Sequence, residues 1–334
     1  MLRLTLFLLG LLTLVGLVWH VGPARILDAV AGVGPVAILM ILLPSFLMYV
    51  LEALGWRLTL GRHSAAVSFG RLFAIRTAGE VVNMTTPTAY VGGEPLKAYL
   101  LKKQGVPMVD GLASVVTAKT TMTIAQVGFI LLGIALGFWI LGSSGSSTHA
   151  VLAASVSVGL LLFGTVIFVV VQRRGLFTGL LGVLRRLRIR IGFLEVREEK
   201  LQALDRAILD FYARDRRAFL FTTGAFFLGW LAEALEVYMI LHYLGGPTDL
   251  LSAISIGAIS VFIKGGTFFI PGSLGAQDGG NLLLLVAFGY SELTGITFAL
   301  LRRVRELVWI AIGLLCLAVM GGPGTELPIQ NGGK

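Results

Sequence analysis

The chain has 334 residues, 56% hydrophobic and 13% charged, with a mean hydropathy of +0.88 and a formal net charge of +9. Soluble domains are about one quarter charged, so no soluble fold accounts for this balance. The Lys and Arg residues sit in loops between apolar blocks, which speaks against a nucleic-acid partner and for basic loops held on the cytoplasmic side of a membrane.

The apolar blocks run to roughly twenty residues, enough at about 1.5 Å per residue to cross a hydrocarbon layer of about 30 Å. Arg3 followed by an apolar stretch mimics a secretory signal, but VWHVGPAR offers no small-x-small cleavage site, and 4–21 reads as a retained first helix. Further spanning helices are expected at 35–56, 107–140, 150–171, 219–244 and 291–320, each bounded by Gly, Pro or charge. Two other apolar stretches, 68–104 and 249–289, are broken halfway by Pro and Gly. Residues 172–218 carry twelve Lys or Arg, including Arg173, Arg174, Arg185 and Arg186, and are expected to be cytoplasmic. Within them Leu201, Leu204, Ile208, Phe211 and Tyr212 recur at helical spacing, as in a helix lying on the inner membrane surface or a solvated connector. Counting outward puts Arg3, the Arg57, Arg62 and Arg71 region, the Lys97, Lys102 and Lys103 region and the C-terminus inside, with GSSGSST at 142–148 outside. Cys316 is alone, so no internal disulfide or thiolate metal cluster is available, and His20, His63, His149 and His242 form no ligand-spaced motif. No cofactor is expected, and no Gly-rich loop followed by Lys and Ser or Thr is present to bind a nucleotide.

The segments PTAYVGGE, 87–94, and PGSLGAQD, 271–278, both open on proline and close on a carboxylate, 184 positions apart. The same ungapped offset pairs Gly105 with Gly289, Gly111 with Gly295, Lys119 with Arg303, Glu52 with Glu236, and Glu80 with Lys264. One offset that holds over some seventy residues points to an internal repeat. An odd number of crossings between equivalent helices makes the two copies inverted. The returning arm from Glu94 to Gln104 spans about 16 Å, too short to cross, so the broken stretches are expected to be re-entrant. Irregular backbone at membrane depth survives only where protein or a watery cavity covers it, so two such hairpins should meet around a polar site.

The expected architecture is therefore an all-α polytopic membrane protein with six spanning helices and two re-entrant hairpins in two inverted-topology repeats. The first repeat is 1–145 with hairpin 68–104. The second is 146–320 with cytoplasmic loop 172–218 and hairpin 249–289, and 321–334 is a short cytoplasmic tail. Pro87, Gly92, Gly93, Pro271, Gly272, Gly275 and Gly279 shape the hairpins.

After Glu306 only about fourteen apolar residues precede Gly321, so LLRRVREL must lie at depth, where each charge costs several kcal/mol unless paired or hydrated. Glu306 stands three residues from Arg303 and four from Arg302, and local pairing there leaves at least one arginine over. Guanidinium forks suit phosphate, which makes Arg303 and Arg305 candidate headgroup contacts. Glu94 and Asp278 begin the returning arms as helix caps or as substrate or proton carriers. Lys97, Lys264 and Glu306 complete the candidate substrate-binding set. Glu80 faces Lys264 under the offset, Lys119 marks either the site or the cytoplasmic edge, and Glu52, Glu233 and Glu236 face inward or cap a helix.

The run AGEVVNMTTPTAYVGGEPLKAYLLKKQGVP, with IPGSLGAQDGGNLLLL and ALLRRVREL, resembles the flippase-like transmembrane region of lysylphosphatidylglycerol synthases, a family with stand-alone members, some associated with hopanoid biosynthesis. The resemblance implies a polytopic lipid translocase in the cell membrane, with Gly92, Gly93, Glu94, Lys97, Pro271, Gly272, Gly275, Asp278, Gly279, Arg303 and Glu306 at its motif positions. Asp278 stands where a glutamate is expected. The soluble aminoacyl-transfer domain of fused members is not expected, since the chain ends about fourteen residues after its last helix. The substrate is then a phospholipid or isoprenoid-type lipid moved by alternating access, without chemical change. Two other readings compete. One is an accessory subunit for a lipid-modifying glycosyltransferase or synthase. The other is a lipid pyrophosphatase, for which the loops TPTAYVGG and PGSLGAQ lack a Ser-Arg-Ser cluster or a histidine.

Overall fold

The computed structural model describes residues 22–86, 92–142, 198–267 and 275–320, with isolated positions elsewhere. The expected spans 4–21 and 150–171, the tail 321–334, and Pro87, Pro271 and Gly272 lie outside the described residues. Among the described residues every regular element is helical: α1 (Pro23–Thr59), α2 (Phe69–Thr85), α3 (Gly93–Lys102), α4 (Met108–Gly142), α5 (Glu198–Arg214), α6 (Arg216–Tyr243), α7 (Leu250–Gly266), α8 (Ala276–Ala287) and α9 (Glu292–Val319), with a 3-10 turn at Gly61–Ala65.

Three of these are long and apolar enough to cross a membrane: Ala31–Thr59, Met108–Ile140 and Arg216–Tyr243. The helix expected from residue 35 starts earlier, at Pro23, and is broken where Gly34 takes φ 79° and ψ 164°. Pro35 then restarts it, its fixed φ and missing N–H suiting a first helical turn. Helix α9, at 28 residues, has the length to cross but carries Arg302, Arg303, Arg305 and Glu306 along its middle. The α3 helix of 10 residues and the α8 helix of 12 reach only about 15 to 18 Å, and neither crosses alone.

Polarity is arranged inside out relative to a water-soluble bundle. Leu39, Leu43, Phe46, Phe221, Leu228 and Leu315 face outward, while Glu52, Arg76, Glu233, Glu236, Arg302 and Arg305 are buried. A hydrocarbon solvent imposes this order, because it accepts leucine freely and rejects charge. That sorting identifies a multi-pass helical membrane protein.

α1 lies along α6, α2 packs on α9, and α7 packs on α4. The short α3 sits between α2 and α4, as α8 sits between α7 and α9. α2 and α3 meet backbone to backbone: a Cβ on Gly93 would stand 1.9 Å from the Gly79 carbonyl oxygen, and the Gly93 N–H donates to Asn83 Oδ1 at 2.7 Å. Gly92, by contrast, has an ordinary right-handed conformation with φ −65°.

α3 and α8 end alike. Gly105 and Gly289 take φ 88° and 86°. The Val106 N–H donates to the Leu101 carbonyl at 3.2 Å and the Tyr290 N–H to the Leu285 carbonyl at 3.0 Å. These are Schellman-type caps that require a left-handed residue. Nothing lies within 4 Å of a Cβ built on Gly289. Gly289→Ala should therefore cost only the conformational penalty, about 1 to 2 kcal/mol, read as a drop of a few degrees in the melting temperature of the detergent-solubilised protein.

The amphipathic α5 turns its apolar face to the protein. Leu204 and Ile208 pack with Ala113 and, partly buried beside it, Val109 and Leu112, all at the start of α4. The face expected to lie on the membrane surface is thus largely spent on closing one end of the bundle.

Candidate functional site

Burying charge at membrane depth is tolerable only in pairs, and the interior is built of pairs. On α1 and α2, Glu52 and Arg76 form an ion pair, and the Arg76 guanidinium lies 4.2 Å from the centre of the Tyr49 ring. Trp309 stacks on that ring at 3.7 Å between centroids and 13° between planes. The aromatic box thereby ties α1 and α2 to α9.

The α9 arginines divide between two helices, Arg302 and Arg305, one turn apart, meeting α6, and Arg303 meeting α8. Arg302 donates to Glu233 of α6 and, at 2.9 Å, to Ser260 Oγ of α7. Arg305 Nη1 donates to Glu236 Oε2 of α6 at 3.0 Å. Arg303 grips Asp278 of α8 with Nε on Oδ1 and Nη2 on Oδ2, both at 2.9 Å, and donates through Nη1 to Glu306 at 2.6 Å. The sequence reading left one arginine over; the structure gives each its own carboxylate, because α6 supplies two. The expected neighbour pair of Glu306 with Arg303 forms, and Arg302 turns to α6 instead. Lys264 Nζ donates to Glu306 Oε1 at 3.1 Å, so a chain of charges runs from α7 through α9 to α8.

A second chain joins α2, α3 and α4. Lys97 Nζ stands 3.3 Å from Glu94 Oε1 and 3.7 Å from Glu80 Oε2, and Lys119 Nζ stands 3.7 Å from Glu94 Oε1. Asn83 Nδ2 donates to both carboxylates at 3.3 and 3.4 Å. Glu94 serves this network from the first turn of α3. Asp278, besides its pair with Arg303, accepts the Gly275 N–H at 3.0 Å at the start of α8.

These groups surround a cavity of about 290 Å³ walled by α1, α2, α4, α6, α7 and α9. Of the residues picked out from sequence, Lys264, Arg305 and Glu306 line it, as do Glu80 and Lys119, whose place sequence left open. Glu94 and Lys97 line a smaller adjoining space of about 40 Å³ that shares Glu52, Arg76, Glu80 and Lys119 with it. Asp278, Gly279 and Arg303 instead line a separate hollow of about 260 Å³ beside Arg25, Leu282 and Ile296. The chain Lys264, Glu306, Arg303, Asp278 stands between the central cavity and this hollow. Sequence reasoning passed over Arg76, Tyr49, Trp230 and Trp309. Arg76 carried a readable signal, an arginine inside a 17-residue helix with Glu80 one turn on. The aromatics looked like ordinary core. Among the described residues no group of three or more His, Cys, Asp or Glu is placed to hold a metal.

With the geometry in place, comparisons place the chain among known proteins. Three UPF0104 membrane proteins of Methanothermobacter thermautotrophicus are similar to it: one 27% identical over 96% of both chains, another 27% identical over 77% of this chain and 76% of its own, and a third 24% identical over 93% and 91%. No solved structure matches. Residues 2–313 match the lysylphosphatidylglycerol synthase TM region, and the chain belongs to this family.

Proposed function

We propose that the protein moves a lipid, a phospholipid or an isoprenoid-type amphiphile, across the cell membrane without altering it chemically. Two inverted halves would rock about the central cavity while the headgroup passes through it and the tail remains in lipid. The observation that carries this reading is one coincidence of sequence and geometry. Glu94 and Asp278 are 184 positions apart, and so are Lys119 and Arg303. In the structure Glu94 pairs with Lys119, and Asp278 with Arg303.

Other matches support the two-half arrangement. The left-handed glycines 61, 105, 245 and 289 fall into two pairs under the same offset. α4 and α9 begin at residues 108 and 292, and α3 and α8 at 93 and 276. α2 packs on α9 as α7 packs on α4, the exchange expected when a pseudo-twofold axis relates the halves. The short α3 and α8 are then the returning arms of re-entrant hairpins, with both termini cytoplasmic by the basic loops. The family's name links it to lipid, and a cavity mixing buried charge with Met48, Met84, Trp230 and Trp309 suits a headgroup with its glycerol region.

The test is translocation of acyl-labelled lipids in vesicles holding the purified protein, against empty vesicles. Lys264→Met, which leaves Glu306 its ion pair with Arg303, should lower the rate at least threefold while the protein still purifies as a single species. Rates equal to those of empty vesicles for every lipid class would end the translocation reading.

A further inference from the structure

The central cavity is lined by four carboxylates, Glu52, Glu80, Glu233 and Glu306, and four cations, Arg76, Lys119, Lys264 and Arg305. The ion-paired residues behind its wall keep the balance: Glu94, Glu236 and Asp278 against Lys97, Arg302 and Arg303. Taken together, these named groups carry a formal charge of zero. In a low-dielectric interior an entering net charge needs a compensating one, and this site has none to spare.

The local arrangement is nevertheless polar on two sides. Arg76 Nη1, Arg305 Nε and Trp230 Nε1 are buried donors without a hydrogen-bond partner, and all three side chains line the cavity. Arg76 and Arg305 are 8% and 5% exposed. Orphan donors of this kind are costly unless an acceptor arrives, and a phosphate oxygen is the acceptor guanidinium groups fit best. Among the four carboxylates Glu80 is the most open, with 24% of its side chain exposed against 6 to 10% for the others. A small ammonium can reach it.

We propose that the cavity selects a zwitterionic headgroup, one phosphate on the arginine side and one ammonium at Glu80, over a headgroup of net charge. This rests on the translocation reading and deepens it by naming the substrate class. An anionic headgroup would satisfy the orphan donors but leave the site at −1, and a cationic one would leave the donors empty.

The experiment compares acyl-labelled phosphoethanolamine and phosphoglycerol lipids in phosphatidylcholine vesicles holding the full-length protein. The zwitterion should move at least tenfold faster, about 1.4 kcal/mol of discrimination. Glu80→Gln makes the cavity +1 and should reverse the order in favour of phosphoglycerol, whereas Lys119→Gln makes it −1 and should leave phosphoglycerol slower still. Equal rates for the two lipids, or an order that neither substitution changes, overturns the selection. Binding is read separately by tryptophan fluorescence, since Trp230 and Trp309 line the cavity, with soluble glycerophosphoethanolamine and glycerophosphoglycerol as probes. Selective binding of the first without movement of any lipid would remove translocation and keep the zwitterion site. Equal binding of both would remove the site whatever the transport result.

Discussion

Replacing Arg305 with alanine should unfold the protein or leave it aggregated in detergent. Glu236 is fully buried, with Arg305 at 3.0 Å and Arg302 Nε at 3.9 Å, and Arg302 is already committed to Glu233. Removing Arg305 strands a carboxylate in the bundle centre, a loss of about 3 to 5 kcal/mol, against a typical net stability of about 5 to 15 kcal/mol. Neutralising both members, Arg305→Met with Glu236→Gln, removes the stranded charge, and a monodisperse protein should return with most of its native melting temperature. Transport should stay lost, because Arg305 lines the cavity and Glu236 does not. Size-exclusion profiles and melting curves of the single and double variants decide the first half, and the vesicle assay decides the second. A single variant as stable as the native protein sinks the pairing argument. A double variant that transports normally takes Arg305 off the substrate path.

What sequence made legible follows from how strongly each feature is dictated locally. Blocks of apolar residues broken by Gly, Pro and charge gave the helices, because a hydrocarbon solvent permits little else. The glycine ends of α3 and α8 were readable as matched positions, Gly105 and Gly289, before their left-handed conformations were on view. The charged run of α9 was readable as buried from the short apolar stretch after it. Its partners were not: which carboxylate meets Arg302, Arg303 or Arg305 depends on how α6, α7 and α8 are set around α9. A search along one helix finds only Glu306. Arg76 was passed over although Glu80 stands one turn on, and its partner Glu52, on α1, could not be read along one helix. Tyr49 and Trp309 carry no signal distinguishing a cavity wall from a core, and only their stacking beside Arg76 makes the distinction.

The paired substitutions Asp278→Asn and Glu94→Gln should push the protein in opposite directions. The two carboxylates hold short helices to long ones: Asp278 joins α8 to α9 by a two-pronged grip at 2.9 Å, and Glu94 joins α3 to α4 through a single long contact of 3.7 Å to Lys119. Under the proposed inverted repeat these matched positions are held unequally, as the proposed rocking of the halves requires at either end of its cycle, when one half is closed and the other loosened. Weakening the tight pair should populate the opposite arrangement, and weakening the loose pair should deepen the present one. A cysteine at Met122, which faces both the central cavity and the space beside Glu94, reports the difference. The background is Cys316→Ser, which removes the chain's only native thiol. With a membrane-impermeant thiol reagent added from either side, Asp278→Asn should change the ratio of labelling rates between the faces about tenfold, equivalent to about 1.4 kcal/mol in the balance of states. Glu94→Gln should move it the other way. If both substitutions shift the ratio in the same direction, or neither shifts it, the two ion pairs are structural struts in a static bundle and the matched geometry does not reflect opposed motion of the halves.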